Sequence, residues 1–143
     1  MTPIQIQLVQ DSFEKIRPKA DIAADVFYQR LFELAPELRS LFGHDMKAQG
    51  AMFMAMIYLT LRELGQPHLF IPRIRALGNR HFGYGVTPVQ RALVAEALLW
   101  MLEHRLAAEF TASTREAWIE ARKLVGNTMR GSFLPAMAVR TGI

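Results

Sequence analysis

Apolar residues recur at three- and four-residue intervals along almost the whole chain, and no stretch alternates apolar with polar residues as a half-buried strand would. That pattern commits the fold to packed helices. Thr2-Pro3 opens a first helix carrying Ile6, Val9, Phe13 and Ile16, and Arg17-Pro18 ends it because proline lacks a backbone donor. A second helix spans about Lys19 to Leu34, and Pro36 suits the first turn of a short third, Glu37 to Phe42. Gly43-His44-Asp45 precedes a long helix from about Met46 to Leu64, after which Gly65-Gln66-Pro67 forms a turn. The next helix covers about Leu69 to Phe82 and is broken by Gly83 and Gly85. Thr87-Pro88 supplies the N-cap and first residue of a helix to about Leu106. Thr111 starts a last helix that reaches about Leu134 before Pro135. About seven helices on short connections make the expected architecture all-α, one domain over residues 1–143 with 136–143 as a C-terminal tail.

Composition narrows the chemistry. With 143 residues and 51% hydrophobic content, the chain can bury a sizeable core. It has no cysteine, which excludes disulfides, thiolate metal sites and a cysteine nucleophile, and makes a reducing cytoplasm the natural setting. The longest apolar run, Gly50 to Leu61, falls short of the ~20 residues that span a bilayer, so membrane insertion is not expected. Neither end reads as a targeting peptide. A net charge of +4 permits an acidic partner, yet the basic residues are dispersed along helices. They read as solvated faces, and nucleic-acid binding is not expected.

The Gly65–Pro67 turn joins two long helical arms. Gln49 stands 17 residues before Gln66 and His81 stands 15 after it, so at helical rise both lie ~22–25 Å from the turn. Gln49 shares a face with Phe53, Met56 and Ile57, and His81 shares one with Ile74 and Leu77. One arm offers an amide in an apolar wall, the other a nitrogen ligand. A lone histidine on an apolar face is more often a packed core residue than a metal ligand. A bare divalent ion wants three or four ligands, and neither carboxylates nor histidines recur near His81 at ligand spacing. Haem asks for one histidine, because the porphyrin supplies four nitrogens, and for a flat apolar slot that Phe42, Phe53, Leu77, Val86 and methionines of the long helix could line.

The segments "VFYQRLFELAPELRSLF" (26–42), "DMKAQGAMFMAMI" (45–57), "LGNRHFGYGV" (77–86) and "EAWIEARKLVGNTM" (116–129) together resemble a bacterial single-domain globin, similar to the globin domain of flavohaemoglobins and their reductase-free relatives. The resemblance implies haem b as cofactor, with His81 as the proximal iron ligand. It assigns Phe42 to the position packed on the haem, Tyr28 and Gln49 to the distal pair, and Phe53 to the apolar distal position, where leucine is commoner. Leu77, Tyr84, Val86, Val94 and Leu98 are its haem contacts. Tyr28 O–H and Gln49 N–H would then stabilise negative charge on dioxygen held at ferrous iron with an open sixth position. Nitric oxide and carbon monoxide are the other implied ligands, and nitric oxide dioxygenase activity would need a separate reductase. Flavohaemoglobins place a tyrosine and a glutamate behind the proximal histidine, where Arg91 and Phe133 align here, so peroxidase-like chemistry is less expected. Arg73 and Arg80 could reach haem propionates, although solvation is the expected fate of either, while His44, His68 and His104 read as surface or loop residues. A haem-based gas or redox sensor and a haem-free interaction module are the competing classes; a monomer or homodimer is expected.

Overall fold

The computed structural model describes the backbone of residues 1–83 and 87–141 and the side chains of residues 1–78 and 87–129. Six α-helices appear among them: α1 (Pro3–Ile16), α2 (Ala20–Leu34), α3 (Met46–Arg62), α4 (Pro67–Gly83), α5 (Pro88–Leu106) and α6 (Ala112–Thr141). Three 3-10 turns, Arg17–Lys19, Pro36–Leu41 and Ala107–Glu109, link them.

The helix starts follow from local chemistry. Thr2 and Thr87 each accept from the backbone of the third helical residue, Gln5 or Gln90, whose side chain bonds back to the cap. Asp45 caps α3 through Ala48, and Thr111 accepts from the Thr114 backbone. Some boundaries differ from those read in the sequence. The short third helix is a 3-10 segment, closed by bonds such as Leu38 to Ala35 and Phe42 to Arg39, because six residues are too few for a stable α-helix. α4 begins at Pro67, not Leu69: the Gln66 carbonyl accepts from both Leu69 and Phe70, and proline suits the first helical position. Pro72 lies inside the same helix, where its missing donor falls opposite the carbonyl of exposed His68. α6 runs to Thr141, beyond Leu134.

Packing then places the helices. α1 lies on α6, where Phe13 and Trp118 rings sit 6.4 Å apart and the indole Nε1 donates to buried Ser12 Oγ at 2.8 Å. α2 packs on α5, whose Ala97, Met101 and Leu102 are fully buried. α4 packs on α6, and its Phe70, Ile74 and Leu77 are buried. At Gly78 a side chain would stand 3.0 Å from the Met129 carbonyl oxygen, so the two backbones touch one turn before His81. α3 and α4, although joined by a short turn, pack far more on α2 and α6 than on each other among the described residues.

The crossing of α2 and α3 is just as tight. A Cβ built on Gly50 would lie 2.9 Å from Ala24 Cβ, closer than real methyl groups approach. On an isolated helix, glycine to alanine gains about 1 kcal/mol. Here the added methyl must push α2 and α3 apart, and overpacking of that kind costs ~1–3 kcal/mol. Gly50→Ala is therefore expected to lower stability in urea unfolding; a gain of the size set by helix propensity would show that the contact is not tight.

Candidate functional site

The Ala24–Gly50 contact brings Gln49, the residue before Gly50, to Tyr28, one turn after Ala24. Gln49 Nε2 donates to Tyr28 Oη at 3.2 Å. Tyr28 is 7% exposed and Gln49 is half-buried. Four phenylalanines surround the phenol. Phe27, Phe42 and Phe53 meet its ring edge-on at centroid distances of 4.9, 5.5 and 5.7 Å, and Phe32 lies tilted at 5.8 Å. Phe53 does not keep the pair apart. Its ring is drawn back against α2, stacked on Phe27 at 4.3 Å. Phe42 is presented by the 3-10 turn, and Arg39 steadies that turn by donating to the carbonyls of Phe42 and Gly43 at 3.1 Å.

Because the amide donates and the phenol accepts, the Tyr28 hydroxyl keeps its own proton to give. No acceptor for that proton occurs among the described residues. Burial raises the phenol above its ordinary range, and the bond from Gln49 offsets part of the shift. The hydroxyl thus stays protonated through neutral and mildly alkaline conditions. For a group whose folded-state value is raised, the stability contribution is present below the unfolded value near ~10 and is lost as pH rises through the folded value. Wild type should consequently lose stability more steeply above pH ~10 than Tyr28→Phe. Equal slopes in alkaline unfolding would show that Tyr28 is not held neutral.

The structure gathers Tyr28, Gln49, Phe42 and Phe53 around one aromatic cluster. Leu77 is buried on α4, and Val94 and Leu98 are half-buried on α5, packed against the same core. The His81 and Arg80 side chains, and Tyr84 and Val86, lie outside the described residues, although the backbone of α4 carries position 81. His44, His68 and His104 are exposed. Among the described residues no three His, Asp or Glu side chains group closely enough to hold a bare metal ion. Arg73 is committed elsewhere: it donates to both carboxylate oxygens of Glu63 at 2.7 and 2.9 Å, which holds that carboxyl below the usual range.

Two contributors escape a reading by motif. Phe32 lies one turn beyond Tyr28 and completes its aromatic cage, a relation already written in the four-residue spacing. Gly50 permits the close crossing that seats Gln49 on Tyr28, and a glycine inside a long apolar helix is itself a signal of close packing.

The family model for Globin matches residues 25–129. The neuroglobin of Danio rerio is 29% identical over 136 residues, covering 85% of this chain and 86% of that protein. A neuroglobin of Tetraodon nigroviridis is 28% identical over 137 residues, with 86% of each covered. A flavohemoprotein of Xylella fastidiosa is 26% identical over 132 residues, which is 90% of this chain but 33% of that protein. The chain therefore spans about a third of the flavohemoprotein's length.

Proposed function

The chain belongs to the globin family, and from that premise we propose that it holds haem b between α3 and α4 through His81 and takes up dioxygen beside Tyr28 and Gln49. Membership of the family, with neuroglobins and flavohemoproteins among the relatives, supports haem-based gas binding. Haem held by His81 would supply an iron able to bind a diatomic gas such as dioxygen, nitric oxide or carbon monoxide. The residues present suit it: Phe42, Phe53, Leu77, Val94 and Leu98 offer an apolar lining, with Tyr84 and Val86 assigned to the same wall.

One observation carries the reading. The buried Tyr28 hydroxyl is positioned by Gln49 and retains a proton with no acceptor among the described residues. A gas that gathers negative charge beside it would receive that proton in a hydrogen bond, in surroundings where four aromatic rings exclude water. Gln49 holds the phenol in place and keeps its oxygen electron pair occupied. The consequence is slow oxygen release and high affinity.

Such a site also favours nitric oxide dioxygenation. Dioxygen, nitric oxide and one electron balance to nitrate, so each turnover draws an electron from a donor, here assigned to a separate reductase. The oxygen-loaded protein should consume one equivalent of nitric oxide per haem, stop, and resume when a reductase is added. Sustained consumption with NADH and this chain alone would overturn the assignment of the donor, and failure to consume the first equivalent would overturn the dioxygenase reading.

A further inference from the structure

We propose that Glu63 and Arg73 form a latch across a hinge at Pro72, and that by tying the part of α4 beyond the proline to the end of α3 they act as positioning residues for the helix that carries residue 81. Pro72 lies one turn into α4. It cannot donate to the His68 carbonyl and its ring crowds that carbonyl, so α4 divides into a first turn, Pro67 to Ile71, and the longer stretch from Arg73 onward. The first turn is tied to the connection with α3, because the Gln66 carbonyl accepts from both Leu69 and Phe70. The longer stretch is held differently.

Arg73 is the first residue after the proline, and its guanidinium reaches back across the turn. Nε and Nη2 donate to the two carboxylate oxygens of Glu63 at 2.7 and 2.9 Å, a paired geometry that fixes orientation as well as distance. Glu63 is a firm anchor. It caps the C-terminus of α3, with its backbone N–H bonded to the carbonyls of Leu59 and Thr60, and its side chain is only 12% exposed. Arg73 and the neighbouring Arg62 keep its carboxyl below the usual range, so both partners are charged at neutral pH. α3 and α4 otherwise pack little on each other among the described residues, while Gly78 sets the longer stretch of α4 against Met129 of α6. The latch therefore holds this stretch to α3, the helix that bears Gln49 and Phe53. Its release would widen the space between α3 and α4. The consequence for haem rests on the haem-binding reading, whereas the latch itself belongs to the haem-free chain.

Amide hydrogen exchange of the full chain, haem-free and haem-loaded, tests this. Glu63→Gln and Arg73→Gln should each speed exchange in α4 beyond Pro72 about two- to fivefold and leave α1 and α5 unchanged. The double variant should exceed either single change only slightly, because one pair is broken in all three. High salt should speed exchange there in the wild type and have little effect in Glu63→Gln. In a Pro72→Ala background, where α4 can bond to His68, the effect of Glu63→Gln should shrink. Haem transfer from the loaded chain to excess apomyoglobin should quicken by a similar factor in both single variants. Unchanged exchange beyond Pro72 in the single variants, additive effects in the double variant, or an effect of Glu63→Gln indifferent to Pro72→Ala would each overturn the proposal. The haem-free measurement decides the latch whether or not haem is taken up, and unchanged exchange beside normal haem uptake would overturn the latch alone.

Discussion

Replacing Tyr28 by phenylalanine is expected to speed oxygen release by roughly 10- to 150-fold, the effect of losing a hydrogen bond worth ~1.5–3 kcal/mol to a charged acceptor. The substitution keeps the ring among Phe27, Phe32, Phe42 and Phe53 and removes only the hydroxyl. Carbon monoxide gathers much less negative charge, so its release should change far less. The direction of the bond between the two helices adds a finer expectation. Gln49 donates to Tyr28, so in the proposed site the amide would act on the gas through the phenol. Gln49→Leu should therefore have a smaller effect, through the position of the phenol, and Tyr28→Phe with Gln49→Leu should exceed Tyr28→Phe only slightly. Additive effects would mean two independent donors, and unchanged oxygen release in all three variants would mean that no polar distal site acts on the gas.

His81→Ala should have the largest effect of any single change, because it removes the one histidine that the sequence aligns with an axial ligand. We expect it to lose most of its haem or to retain it weakly, with a broadened and diminished Soret band. His44→Ala, His68→Ala and His104→Ala should each retain haem, since all three side chains are exposed and His104 is turned onto Trp100, its ring 4.1 Å from the indole. The neighbouring backbone is consistent with the role proposed for position 81. Gly78 lets α4 lie directly on the α6 backbone at Met129, one turn before position 81. A normal Soret band and ordinary haem retention in His81→Ala would remove histidine 81 from the site.

The parts of this architecture that local chemistry decides are legible in the chain itself. Thr87-Pro88 starts α5 because a threonine can cap and a proline needs no donor there, and the end of that helix at Leu106 falls where the apolar period ends. The approach of Gln49 to Tyr28 is legible only through family resemblance, because residues 21 positions apart meet through a crossing that periodicity does not encode. What decides that crossing is a single absent methyl at Gly50 against Ala24. The direction of the resulting bond, and with it a phenolic proton that meets no acceptor among the described residues, emerges only from three-dimensional geometry. Arg73 illustrates the opposite case. An arginine of suitable position for a propionate is claimed by Glu63 across the α3–α4 turn, a pairing set by the fold of the turn and invisible in spacing. The same holds for Phe53, whose bulk reads as an obstruction until its stacking on Phe27 is seen.

The most direct test is the absorption spectrum of the purified chain with haem in the ferric state, after reduction, and after addition of carbon monoxide. We expect an intense Soret band that moves on reduction and moves again, sharpening, with carbon monoxide. Absence of a Soret band after haem is added, or a reduced spectrum that carbon monoxide leaves unchanged, would contradict haem-based gas binding by this chain.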